Sequence, residues 1–190
     1  WHVMRASYHD STYVDWAESL ERSHLDARRL SADIASQAIA EATLRARSVD
    51  KVRRYFDDED DGVRKKAAQT FRHIPRDQFD LLTDLAKHFL DSRAFYEDSF
   101  AFLHLLEEVQ GNVADLVIAS AEKLLADATT SADGPEKHDM AWHQLHELIN
   151  LEYANSEQEP ELRKRLLDVV DRVLLLELRG AEQILKKHER

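Results

Sequence analysis

The chain of 190 residues contains no cysteine, so disulfides and thiolate metal sites are excluded, and a reducing, cytoplasmic setting is compatible with the composition. Glycine and proline are nearly as scarce, at four and three residues, which leaves few turn formers for a sheet protein and points to an all-α chain. There is no long apolar run either: the longest candidate, Val173 to Leu178, is broken by Glu177. A bilayer span needs roughly 20 apolar residues, so no membrane partner is expected. The first ten residues hold no apolar core of secretory type. Because the chain begins with Trp1 rather than methionine, it reads as a piece of a longer polypeptide or a processed product. Missing too are a Gly-x-Ser-x-Gly elbow, a Gly-x-x-x-x-Gly-Lys loop and a Gly-x-Gly-x-x-Gly turn, which removes the usual footholds for nucleophilic catalysis and phosphate binding. A non-enzymatic role without cofactors is the expectation.

Acid is plentiful: 37 acidic against 26 basic side chains give a formal net charge of −11. Such a balance disfavours a general nucleic-acid or anionic-membrane surface while leaving local patches open.

Apolar periodicity places the helices. Asp10-Ser11-Thr12 can cap a helix whose inner face holds Tyr13, Trp16, Ala17 and Leu20. Leu25 to about Ala46 follows as one long helix with Leu30, Ile34, Ala38 and Ala42 at steps of four, and Ser48 or Asp50 can cap a short one carrying Val49, Val52 and Phe56. Beyond Pro75 come three stripes. The first holds Phe79, Leu82, Leu85, Ala86 and Phe89, ending at Asp91-Ser92. The second, from about Ala94 to Val109, holds Phe95, Phe102, Leu105 and Leu106, widened by Phe100 and Leu103; the third, after Gly111-Asn112, holds Val113, Leu116, Val117, Ala121, Leu124 and Leu125. Gly134-Pro135 opens a helix with Trp142, Leu145 and Ile149 inside, and Pro160 opens another with Leu162, Leu166, Val169, Val173 and Leu176. Gly180 splits off a last segment around Ile184 and Leu185.

The stretch from Asp57 to Ile74 organises the rest. Its acidic cluster supplies an N-cap near Asp61, and Asp60 can pair with Arg64 one turn on. Val63, Ala67, Phe71 and Ile74 then share one face, while Ala67 and Ala68 keep the helix thin enough for close approach. With Asp57, Asp58, Val63, Arg64, Ala67 and Ala68 as its motif, this stretch resembles the second helix of a HEAT repeat. The resemblance implies a right-handed α-α superhelix of HEAT or armadillo type with about 8–10 helices, in which each hairpin buries its stripe against the next. Second helices starting near Gly62, Ala94, Glu136 and Ala181 are spaced by about 32, 42 and 45 residues, around the roughly 40 to 47 of such arrays. One domain is expected, with long helices over residues 1–47 and stacked hairpins over 48–190.

Four constellations bear on chemistry. The run Asp57-Asp58-Glu59-Asp60-Asp61-Gly62 matches the start of a calcium loop, but the twelfth position, where calcium needs a bidentate carboxylate, is Ala68. Asp139, His143 and His146 lie at i, i+4 and i+7 and offer an alternative metal face, although Trp142, Leu145 and Ile149 claim another side of that helix. Glu21-x-x-His24 occurs once, where a di-iron bundle needs two copies. Finally Arg45, Arg47, Lys51, Arg53, Arg54, Arg64, Lys65, Lys66, Arg72 and Arg76 offer a basic strip for nucleic acid.

The closing run Leu167-Asp168-Val169-Val170-Asp171-Arg172-Val173-Leu174-Leu175-Leu176-Glu177-Leu178-Arg179-Gly180-Ala181-Glu182-Gln183-Ile184-Leu185 is similar to the C-terminal helical tail of very large bacterial ATP-binding proteins of the signal-transducing type. That resemblance implies a sensor or partner-binding arm downstream of an ATPase core, and it transfers no catalytic residue. The expected function is an interaction scaffold for another protein or an upstream domain of the same polypeptide. Its expected contact residues are Arg64, Lys65, Arg72, Glu97 and Asp98, on the exposed sides of the central hairpins.

Overall fold

A computed structural model describes Thr12, Asp15, Ser19 and residues 24–109, 113–130 and 138–175. Among these residues there are helices joined by turns, bends and short irregular links and no strand, an all-α arrangement. The chain divides into two compact units, Trp1–Leu105 and Leu106–Arg190.

In the first unit α1 (Leu25–Ala38) packs on α2 (Arg45–Tyr55) and α3 (Asp61–Ala68). Its inner face is built from small residues: Ser31, Ala32, Ala35, Ser36 and Ala38 are buried around Ile34. Short side chains there let neighbouring backbones approach. The single helix expected over Leu25 to Ala46 is in fact two. After Ala38 the chain turns, Ile39 and Leu44 bury, and Arg45 folds back so that its Nε and a terminal nitrogen donate to the carbonyls of Ile39 and Ala40 at 3.1 and 3.2 Å. A cation on those terminal carbonyls offsets the negative end of the helix and satisfies acceptors that have no helical partner. Ala42 therefore lies in a turn, and residues 47 and 48, where an internal division was expected, fall inside α2.

The α3 helix is short because it tightens into a 3₁₀ turn at Gln69–Arg72, yet Val63, Ala67, Phe71 and Ile74 still bury together. Pro75 then precedes a second 3₁₀ stretch, Arg76–Leu82, which runs into α4 (Thr83–Asp91). A third 3₁₀ turn, Arg93–Tyr96, leads to α5 (Ser99–Glu108), so the helix expected from Ala94 is interrupted before Ser99. Phe89 is the hub of the core, with ring centroids 5.0 Å from Phe56, 4.6 Å from Phe71, 5.7 Å from Phe95 and 5.4 Å from Phe102. Tilted and edge-on geometries of this kind add to simple burial. One main-chain bond links distant turns: the Ala94 amide donates to the Phe56 carbonyl at 3.1 Å.

The second unit holds α6 (Ala114–Thr130), α7 (Asp139–Asn155) and α8 (Pro160–Leu175), with α6 packed on both others. Arg165 pairs with Asp115 at 2.8 Å and Arg172 approaches Glu122 at 3.8 Å. Both partners advance by seven residues in the same sense, so α6 and α8 run parallel. The apolar stripes expected from Val113 and Trp142 onward are buried, as are Leu166, Val169 and Val173 of the stripe in α8, with Leu162 only partly covered.

Outside the described residues lie the expected helix around Tyr13 to Leu20 apart from Asp15 and Ser19, the Gly111-Asn112 and Gly134-Pro135 turns, and the segment beyond Leu175. No described helix is long and apolar enough to cross a membrane.

Candidate functional site

The acidic corner before α3 is built by arginines. Asp60 is the N-cap, its Oδ1 accepting the Val63 amide at 2.9 Å, while Arg29 of α1 donates to both its carboxylate oxygens at 2.8 Å. The Arg29 hydrogen bonds, more than any other influence, hold the Asp60 carboxyl below its usual range. Asp58 accepts the Asp60 amide at 2.9 Å and meets Arg28 at 3.4 Å. Gly62, which would be the turn glycine of a calcium loop, has another reason to be glycine: a Cβ there would lie 2.6 Å from Arg29 Nε. The guanidinium lies across it. With Asp58 and Asp60 committed to arginine and Ala68 fully buried, the corner is a helix cap.

The expected pair of Asp60 with Arg64 is replaced by longer-range partners. Arg64 is buried at 8% exposure; a terminal nitrogen donates to the carbonyls of Asp58 and Glu59 at 2.9 and 3.0 Å, and its Nε and other terminal nitrogen bond Glu97 Oε1, the former at 3.0 Å. Arg72 likewise bonds Asp98 at 2.9 Å. Four of the five expected contact residues thus pair with one another, and Arg64, far from lying on an exposed side, locks the corner to the turn at Glu97. Lys65 does face solvent. Of the repeat motif, Val63, Ala67 and Ala68 are fully buried, Asp58 stabilises the corner, and Asp57 is exposed with His88 at 3.5 Å.

The basic strip is largely consumed in the same way. Arg47 pairs with Asp15 at 2.6 Å, Lys66 with Asp33 at 3.2 Å, and Lys51 is 2% exposed with its Nζ donating to Ser31 Oγ at 3.3 Å. Arg54, Lys65 and Arg76 remain exposed.

The three expected metal donors on α7 part company. His146 is buried beside Trp142 and Ile149, whereas Asp139 and His143 are exposed. Burial, and secondarily the charge of His143, push the His146 imidazole below its ordinary value. Its Nε2 and the Trp142 Nε1, one turn away, are buried without hydrogen-bond partners. Among the described residues no group of three or more His, Cys, Asp or Glu is placed to hold a metal ion. His138, unremarked in the sequence, bonds Asp127 at 2.8 Å and ties the start of α7 to α6.

Comparison with family models, curated proteins and solved structures yields no match. The geometry therefore carries the functional reading.

One concave feature was not foreseen. A groove of about 470 Å³ runs beside α2, lined by Ala42, Arg45, Ala46, Val49, Asp50 and Arg53 on one side and by Leu82, Asp84 and Leu85 on the other. Residues 42, 45, 46, 49, 50 and 53 are spaced as one stripe of a helix and the turn before it. Its lining combines five aliphatic side chains, Ala42, Ala46, Val49, Leu82 and Leu85, with two charged side chains of each sign.

Proposed function

We propose that the chain is a non-catalytic, HEAT-like interaction module whose stacked helical hairpins are structural and whose outer surface recognises another protein or another part of its own polypeptide. The observation that carries this reading is the α2–α3 hairpin. Its corner is capped by Asp60, and Ala67 and Ala68 sit fully buried with α1 packed against their helix. A thin helix seam of this kind is how successive hairpins stack into an extended array. In that arrangement the superhelix is right-handed, and the module acts as the sensor arm of a larger ATP-binding polypeptide. Lys65, at the exposed edge of α3, is the contact residue of the original set that internal pairing leaves in place.

The test is selection of binders from a displayed random-peptide library on the immobilised chain, followed by calorimetric titration. Saturable one-to-one binding that weakens at least severalfold in Lys65→Glu, with an unchanged melting temperature, supports the module and its surface. Failure to obtain any saturable binder overturns the reading.

A further inference from the structure

The groove beside α2 stands out because of what its charges do not do. Elsewhere in the first unit guanidinium groups are engaged, Arg28 with Asp58, Arg29 with Asp60, Arg47 with Asp15, Arg64 with Glu97 and Arg72 with Asp98, and within the groove Arg45 is held by backbone carbonyls. Arg53, half-buried in the groove wall, has its Nε sealed from solvent without a hydrogen-bond partner. Asp50 precedes it by three residues on the same helix, a spacing that favours pairing, yet neither Asp50 nor Asp84 reaches it within 4.0 Å. The three charged groups therefore line one groove with no ion pair among them, and the Arg53 terminal nitrogens are the donors left to a visitor.

Ligand chemistry follows from this balance. Two arginines and two aspartates line the cavity, so a polyanion such as nucleic acid or a simple phosphate meets two carboxylates as well as the cations. A dipolar ligand satisfies both signs. Val49, Leu82 and Leu85 add an aliphatic floor. The volume lies in the roughly 300–1,000 Å³ range of sites that hold ligands of many heavy atoms, which a single free amino acid would leave partly filled with water.

We propose that this groove binds the carboxyl-terminal end of a peptide, with the terminal carboxylate on Arg53, an aliphatic last side chain on Val49, Leu82 and Leu85, and a basic side chain just before it facing Asp50 and Asp84. The proposal rests on the interaction-module reading and specifies the partner segment. A guanidinium fork suits a carboxylate, and capture of a chain end by fixed donors is a recurrent recognition mode.

The experiment titrates the chain with acetyl-Ala-Lys-Leu carrying a free carboxylate, with the same peptide as its carboxamide, and with free leucine. Saturable binding of the carboxylate form, weakened roughly tenfold or more as the carboxamide and in Arg53→Gln, is the expected result, since either change removes the charge-assisted hydrogen bond. Asp84→Asn should weaken acetyl-Ala-Lys-Leu severalfold while leaving acetyl-Ala-Ala-Leu unchanged, with circular dichroism reporting the fold of both variants. Equal binding of carboxylate and carboxamide, tighter binding of free leucine, or no binding would each overturn the proposal. Library-selected binders run in the same samples separate the two readings: if they bind while the carboxylate peptide does not, the groove assignment fails and the module stands.

Discussion

The two units differ in how they treat their most buried charged side chains. In the first, buried charge is paired: Arg64, its side chain 10% exposed, meets Glu97 at 24% and two backbone carbonyls besides. In the second, the arginine bridges stay at the surface, as with Arg165 and Asp115 at 53% and 81%, and apart from the His138–Asp127 pair the buried titratable groups His146 and Glu152, at 4% and 6%, have no charged partner among the described residues. Burial, helped by nearby Glu159, pushes the Glu152 carboxyl above its ordinary value. A paired buried charge holds elements in register, whereas an unpaired one makes stability depend on pH.

The sharpest way to probe this contrast is to remove a core side chain from each unit and follow urea unfolding by circular dichroism. Phe89→Ala should cost about 3–5 kcal/mol and Leu145→Ala about 2–5 kcal/mol, both residues being fully buried. Next comes Glu97→Ala, which strands Arg64 and should cost about 1.5–3 kcal/mol; a loss below about 0.5 kcal/mol would show that the two carbonyls suffice for Arg64.

Titration then separates the units further. The folded His146 resists protonation, so its favourable contribution is present above the unfolded value near 6.5 and is lost as pH falls below it. His146→Leu should therefore flatten the drop in unfolding midpoint on going from about pH 7.5 to about pH 5.5. His73 of the first unit, also depressed chiefly by burial, would leave a residual slope. For Glu152 the sign is opposite: its raised value costs stability as pH climbs through the ordinary value near 4.5, so Glu152→Gln should stabilise the chain at neutral pH and not below about pH 4. The smallest effect belongs to Asp115→Ala, within about 1 kcal/mol, because its bridge to Arg165 is exposed. A larger loss would place that pair among the structural ones and erase the contrast.

What could be read from the chain alone was local. The Asp60 cap and the Val63, Ala67, Phe71 and Ile74 stripe follow from residues within a few turns of one another, as do the buried faces around Leu124 and Leu145. The start of α2 at Arg45 was hidden because no glycine, proline or capping side chain marks it; the turn depends on an arginine reaching back to carbonyls five and six residues earlier. Arg64 and Glu97 read as surface because their partnership spans 33 residues. The open charges of the groove were equally invisible, since Asp50 and Arg53 have a spacing that suggests a pair and the opposite wall comes from Leu82 to Leu85.

The bond from the Ala94 amide to the Phe56 carbonyl belongs to the main chain, so it does not depend on the chemistry of either side chain. A side-chain bridge is erased by substituting either partner, whereas here only proline at position 94 deletes the donor itself. Sequence change in the corner's charged side chains therefore leaves one of the two ties between these turns in place.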